Sequence, residues 1–413
     1  VPLAGDMTQK GLSHVDNAER NKNVILNVIR DRPSLSRREV AQSSCLSLST
    51  AKRLIEELLA EQLLDEVPAP GGLKVRGPKA GNLRLRRDYG YALGLNIEPE
   101  QIEVCAVGLS GEVRKVEVHR LRDRGSEATI RQLVEVAVAC RRELATVPAG
   151  KLLGVGIAIA GLVDARRGFI YDCFPIPGWE NVALKERLEA ELAAPVLVDD
   201  RVRSMAVAEK RYGVARELET FLYIDVGNGV GSCFFLDNRI YRGKNGIAGE
   251  FGHIPVRENG PQCNCGNKGC LEVLVSTGAL LAAVRSSLES NVYTQLKGGP
   301  GQEITLPDIA RAAGNGDKLA SLLLFEAAEL IGIGLADLVS VFDPGTIILA
   351  GEVVLGLGPL LVEGIVRTVR LRGIHPITQR TQFLTGSDIP HMGARGAATL
   401  PLEHWFASGI LNI

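Results

Sequence analysis

Three cysteines fall within eight positions in PQCNCGNKGCLE, residues 261–272, and this knot constrains the chain more than any other stretch. Cys263, Cys265 and Cys270 are spaced C-x-C-x4-C, with Gly266 and Gly269 supplying backbone freedom for tight turns. His253 stands upstream, with nine residues intervening. Three thiolates and one imidazole make a closed tetrahedral zinc shell, which is structural rather than catalytic. A redox pair and three inert buried thiols are the competing readings. C-x-C is not the thioredoxin spacing, however, and clustered thiols in a reducing compartment argue for a ligand role. The expected cofactor is therefore structural Zn2+ held by His253, Cys263, Cys265 and Cys270. Cys45, Cys105, Cys140, Cys173 and Cys233 are scattered and read as core or incidental.

A chain of 413 residues is too long for one core, so two or three domains are expected. Eight cysteines are too sparse for a disulfide scaffold, which points to the cytoplasm. No apolar run is read as approaching the ~20 residues needed to span a bilayer, and the N-terminus lacks the apolar core of a signal peptide. No membrane association is expected. Residues 1–88 carry 15 Lys/Arg against 11 Asp/Glu, whereas the whole chain has a net charge of −1. The basic excess lies where a nucleic-acid-facing module would need it.

That N-terminal segment reads as three short helices. Asn23–Ile29 has apolar residues at helical spacing, and Pro33 follows the run. Ser36 with Glu39 forms a capping box. Ser47 caps a third helix whose Leu54, Leu58 and Leu59 face inward. Its opening surface carries Ser49, Thr50, Lys52 and Arg53. LLDEVPAPGGLKVRG then reads as a strand, a turn and a basic strand, so the whole fits a winged helix-turn-helix. In that reading Ser47, Ser49, Thr50, Lys52 and Arg53 face the major groove. Arg37, Arg38, Lys74 and Arg76 contact phosphates. A helical protein-interaction domain with a solvated face is the alternative. Cys45 occupies the inter-helix turn where a glycine often sits, and residues 77–88 read as a basic linker.

Beyond Tyr89 come three strand-like runs, a helix, a buried strand, a glycine-rich hairpin, a long apolar helix and another strand. That order predicts a mixed α/β architecture in two lobes, with no tandem sequence repeat.

The helix-turn-helix, IAGLVD (159–164), PIPGWENVAL (175–184), AGEFGHIPV (248–256) and PQCNCGNKGCLE occur in the order of the ROK family, which the whole chain resembles. That family groups bacterial sugar-responsive repressors, the xylose and N-acetylglucosamine repressors among them, with sugar kinases. The resemblance implies a two-lobed actin-like ATPase fold with a sugar cleft between the lobes, and it matches His253 and the three cysteines to the family's zinc ligands. The expected divisions are a DNA-binding module and linker over 1–85 and a first lobe over 86–197 completed by a C-terminal helix at 390–413. A second lobe with the knuckle spans 198–389.

The family's first phosphate loop is Asp-x-Gly-Gly-Thr; the matching place here is Asn96-Ile97-Glu98-Pro99-Glu100, whose carboxylates repel a triphosphate and whose proline lacks an N–H. The second loop, Gly227–Gly231, remains glycine-rich, although a tight hairpin explains it equally well. Registering Glu209 with the family's helix-terminal Glu places Asp200 at an Asn, Arg201 at the catalytic Asp and Arg203 at a second Asn. A guanidinium, with a pKa above ~12, cannot accept the hydroxyl proton. A one-residue shift restores an Asp there but needs an extra helix residue.

The expectation is a chain without kinase activity and without catalytic residues. By the resemblance, Gly161, Asp200, Arg201, Glu250, His253 and Glu272 surround a sugar or sugar-derivative effector. Two readings of the arginines stay open: Arg201 and Arg203 pair with Glu250 and Glu272, or one of them recruits an anionic ligand. The function expected is a DNA-binding repressor of carbohydrate genes, acting on an operator as a homodimer or dimer of dimers. An active sugar kinase with a DNA-binding appendage, or a regulator controlled by a protein partner, are the alternatives.

Overall fold

The computed structural model describes residues 14–68, 81–145, 150–296 and 303–406. Helices α1 (His14–Asp31), α2 (Arg37–Ser43) and α3 (Leu48–Ala60) open the chain. Ser36 caps α2 in the expected box, its Oγ accepting from Glu39 N while its own N–H donates to Glu39 Oε2 at 2.8 Å. Ser47 Oγ accepts from Thr50 N at 3.1 Å and starts α3. Cys45 holds the intervening turn at φ +53°, a conformation that glycine adopts without strain.

Strand β1 (Leu64–Val67) pairs antiparallel with β2 (Asn82–Leu85), Leu64 opposite Leu85. The strand that pairs with β1 is thus residues 82–85, which the sequence reading places in the linker. Leu83 and Leu85 alternate inward between basic residues, a period-two pattern that the arginines obscure in the sequence. Lys74 and Arg76 themselves lie outside the described residues.

The first lobe is built on a five-stranded sheet. Strands β3 (Gly90–Ile97), β4 (Gln101–Gly108) and β5 (Val113–Arg120) form an antiparallel meander. Strands β6 (Lys151–Ile159) and β9 (Val196–Asp200) extend it in parallel beside β3, and a small hairpin, β7 (Leu162–Asp164) and β8 (Phe169–Asp172), intervenes. Helices α4 (Ser126–Leu144) and α5 (Leu184–Leu192) cover one face. After β9 the chain enters α6 (Arg201–Tyr212) and crosses to the second lobe.

There β10 (Phe221–Val226), β11 (Val230–Leu236) and β12 (Arg239–Ile240) repeat the meander, with β13 (Thr346–Ala350) and β14 (Gln382–Thr385) again parallel. The two sheets share one topology although no repeat is visible in the sequence. Helices α7 (Glu272–Val275), α8 (Thr277–Glu289), α9 (Leu306–Gly314) and α10 (Lys318–Phe342) contribute to this lobe's core. Helices α11 (Glu352–Leu357), α12 (Pro359–Arg372) and α13 (His375–Thr378) follow. Helix α10 is long and apolar enough, by length and composition alone, to cross a membrane; its buried face instead fills the second core. The sequence shows this stretch as a long apolar helix, but Glu326, Glu329 and Asp337 interrupt it, so it does not count there among runs long enough to span a bilayer.

The last helix, α14 (Met392–Trp405), returns to the first sheet. Here the N-terminal module and the first lobe share one apolar core. Ile25, Ile29, Leu54 and Leu83 pack in the same cluster as Val107, Leu153, Leu402 and Phe406. The module is therefore docked on the lobe through buried hydrophobic surface.

Candidate functional site

A cavity of about 220 Å³ lies between the lobes. The β3–β4 turn supplies Glu98 and Pro99, the segment after β6 supplies Gly161, and the β9–α6 junction supplies Asp200 and Arg201. The β10–β11 hairpin adds Asn228–Gly231, and the opposite wall carries Glu250, His253 and Glu272. All six residues expected at the ligand site line this one cavity.

Their partners differ from the expected ones. Arg201 Nη2 donates to Asp225 Oδ2 at 2.9 Å, and the two side chains are 17% and 2% exposed. Burial opposes the guanidinium's charge, but Asp225, Glu98 and Asp200 together hold its pKa above the ordinary value. Arg203 is turned away from the cleft and is 2% exposed. Its Nε donates to Asp199 Oδ1 at 2.7 Å, its Nη1 to Ala248 O at 3.2 Å and its Nη2 to Val163 O at 2.8 Å. Arg242 completes a buried triad, its Nη2 donating to Asp199 Oδ2 at 2.7 Å. Burial alone would raise the Asp199 pKa, but the two guanidinium groups hold it down at about 2. Neither arginine pairs with Glu250 or Glu272, so of the two open readings the structure lacks the cross-cleft salt bridges of the first.

Asp200 is the N-cap of α6, its Oδ1 accepting from Val202 N at 2.8 Å and from Arg203 N at 3.1 Å. Glu272 Oε2 accepts from Val230 N at 3.0 Å and so ties the knuckle to the glycine-rich hairpin. Glu250 is pushed up to a pKa of about 7, first by burial and then by the charges of Asp200 and Glu272. The Asn96–Glu100 segment is a hairpin turn in which Glu98 N donates to Gln101 O at 2.9 Å. Glu209 is fully buried and accepts from Val214 N and Ser387 Oγ, both at 2.7 Å. The sequence reading missed Glu98, Asn228 and Asn264 as lining groups and Asp225 as the partner of Arg201. Glu98 and Asn228 lie in the two segments matched to the family's phosphate loops, and Asp225 stands two residues before the second, whereas Asn264 carried no signal beyond its place in the cysteine knot.

Beside this wall, the ligand atoms of His253, Cys263, Cys265 and Cys270 all lie within 4.8 Å of one another. Cys265 Sγ and Cys270 Sγ are 3.7 Å apart, and His253 Nδ1 is 3.5 Å from Cys263 Sγ. A tetrahedron with metal–sulfur bonds of about 2.3 Å has edges near 3.8 Å, so the four groups can hold a metal ion. Gly269, at φ +69°, brings its chain so close to Arg257 that a Cβ would lie 1.8 Å from the Arg257 carbonyl oxygen. His253 Nε2 is left facing Glu250, 3.9 Å from its Oε2, so the cluster fixes a cavity residue as well. Cys105, Cys140, Cys173 and Cys233 are buried elsewhere, and Cys45 is exposed.

On the N-terminal module, Ser49, Lys52 and Arg38 are exposed, and Thr50 is half-buried. Ser47 Oγ is engaged in capping, and Arg53 Nη1 donates to Glu57 at 2.5 Å. Arg37 is 17% exposed and bridges Glu56 and Glu66, which orients it toward α3 and β1 instead of outward.

The chain is 28% identical over 334 residues to the xylose repressor of Caldicellulosiruptor bescii, covering 80% of this chain and 83% of the relative. It is 27% identical over 416 aligned positions to the Escherichia coli K12 DNA-binding transcriptional dual regulator NagC, covering 98% of each. A solved ROK family transcriptional regulator, a homolog of the E. coli MLC protein, superposes with a TM-score of 0.81 at 22% identity, covering 95% of this chain and 98% of that one. Solved ROK hexokinase and glucokinase structures share the two-lobed part, covering 77% and 75% of the chain at TM-scores of 0.62. The ROK family profile matches residues 92–404, which span both lobes, the cavity and the cysteine cluster, and the chain belongs to the ROK family.

Proposed function

We propose that this protein is a transcriptional repressor of carbohydrate genes that senses an uncharged sugar and does not phosphorylate it. The observation that carries the reading is an N-terminal helical module sharing one core with a sugar-kinase-like lobe, so that cleft and module are mechanically joined. Residues 1–85 form a winged helix-turn-helix and its connection to the first lobe. Its α3 surface, with Ser49, Thr50, Lys52 and Arg53, enters the major groove, and Arg38 contacts the backbone. Lys74 and Arg76 are assigned to the phosphates as well. The lobes span 86–197 with 390–413, and 198–389. The repressor acts as a dimer in the cytoplasm, and Zn2+ at His253, Cys263, Cys265 and Cys270 holds one wall of the cleft.

Two features support the absence of catalysis. Arg201 stands where the family's base is expected and is locked on Asp225. At the position of the first phosphate loop, a hairpin turn presents the Glu98 carboxylate in place of a glycine cradle. The charge of the lining also selects the effector. Glu98, Asp200 and Glu272 line the cavity together with Glu250, whose pKa of about 7 leaves it only partly charged at neutral pH, while the charge of Arg201 is already matched by Asp225. At an effective dielectric of about 20, each carboxylate about 7 Å from a phosphate charge costs about 2 kcal/mol. Carboxylates accept readily from vicinal hydroxyls, so neutral polyols fit.

Isothermal titration with D-xylose, D-glucose, N-acetylglucosamine and their phosphate esters, with and without ATP and Mg2+, tests this. At least one neutral sugar is expected to bind without ATP, and its phosphate ester at least about tenfold more weakly, the equivalent of 1.4 kcal/mol. Preferential binding of an ester, or recovery of a phosphorylated product, would sink the reading.

A further inference from the structure

Helix α6 touches the cavity at one end and the N-terminal module at the other. At its start, Arg201 lines the cavity and holds Asp225 of β10. Two residues on, Arg203 binds the Val163 carbonyl of the first lobe and the Ala248 carbonyl of the second. At its end, Arg211 Nη1 donates at 3.1 Å to Asp31, the last residue of α1. Arg211 Nη2 donates at 2.5 Å to Glu403 of α14. Glu403 is 1% exposed and also takes Arg30 Nη1 at 3.1 Å, while the Arg30 guanidinium lies 4.0 Å from the Phe406 ring centroid.

Little slack exists between these ends. Gly396 of α14 approaches so closely that a Cβ there would lie 2.0 Å from Ser204 O of α6. Tyr212 hydroxyl and Thr399 Oγ1 are 3.0 Å apart, and the Arg395 guanidinium sits 3.8 Å from the Tyr212 ring centroid. A helix of 12 residues is about 18 Å long, and buried packing of this kind switches between discrete arrangements more readily than it deforms.

We propose that α6 is the rod that transmits occupancy of the cleft to the N-terminal module. The Arg201–Asp225 pair is its input, and the cluster of Arg30, Asp31, Arg211 and Glu403 is its output. This rests on reading the cleft as a ligand site and the module as DNA-binding. A ligand that draws the lobes together moves Asp225 with the second sheet and Val163 with the first. Because α6 is held to both, it shifts as a body. Its last turn then repacks against Asp31 and Glu403, and the orientation of α1 changes with it.

Hydrogen exchange on the full-length protein tests the link without needing the effector. Arg201→Gln and Asp225→Asn each break the input pair. Both are expected to accelerate exchange at least about fivefold in the last turns of α1 and α14, with α4 unchanged. Arg201→Lys, which keeps the charge, restores protection. Arg187→Gln, which breaks a surface pair with Glu127, leaves α1 as it is. Acceleration confined to β10 and the first turn of α6 overturns the link. Should Arg201→Gln fail to fold, Asp225→Asn decides, together with Arg211→Gln read at Gly227–Gly231. Sugar calorimetry reports separately: binding with no remote exchange change defeats the link alone, and remote change with no sugar bound defeats the ligand reading alone.

Discussion

Asp199→Asn is expected to destabilise the protein by about 3–5 kcal/mol, because it strands two buried guanidinium groups without a countercharge. Arg203 and Arg242 are 2% and 4% exposed, so neither can recover its hydration by a small rotation. For a domain of this size each kcal/mol shifts the melting temperature by about 2–4 °C, giving a fall of roughly 6–20 °C. The sign of the pH dependence follows from the depressed Asp199 pKa of about 2. A carboxylate held below its unfolded value of about 3.9 contributes its stability above that value and loses it as the pH falls through the folded one. The gap between wild type and variant should therefore be full at neutral pH and narrow only between about pH 4 and 2. Thermal melts across that range check it. A variant within about 1 kcal/mol of wild type at neutral pH would show that the triad is dispensable.

Loss of the metal should act on stability and on the cleft at once. Structural zinc binds small peptides with about 10–16 kcal/mol, so the turn from Pro261 to Cys270 should not hold its shape without it. Its collapse frees His253 and the segment leading to Glu272, whose carboxylate anchors the Val230 amide. The purified protein is expected to contain about one zinc per chain by elemental analysis. Cys265→Ser should remove that zinc and lower the melting temperature by more than about 10 °C, using about 2–4 °C per kcal/mol. It should also weaken sugar binding at least about tenfold, or 1.4 kcal/mol. A Ser variant that binds sugar normally with no metal would separate the knuckle from the cleft.

Local features of the fold were legible. Ser36, Ser47 and Pro33 mark helix ends because caps and breakers act within one turn, and the β3–β4 and β10–β11 hairpins follow from short apolar runs joined by tight turns. The cysteine cluster was legible because its ligands are close in sequence and chemically distinctive. What escaped were long-range pairings. Arg203 could be named, but not that Asp199 and Arg242 would close around it, since Arg242 lies 43 residues from Asp199. Arg201 could be placed in the cleft, but its partner Asp225 belongs to another sheet. Glu403 reaches Arg211 across 192 residues, and no local pattern announces such a contact. Charged side chains carry no periodic signature of burial, so sequence alone reads them as a solvated surface.

Fluorescence anisotropy of an operator fragment, selected from genomic DNA on the full-length protein and titrated with a neutral sugar, tests the central claim most directly. The expected result is tight binding of the fragment and its release by at least one neutral sugar in the absence of ATP. Selection of no specific fragment, or release that requires ATP or a sugar phosphate, would contradict it.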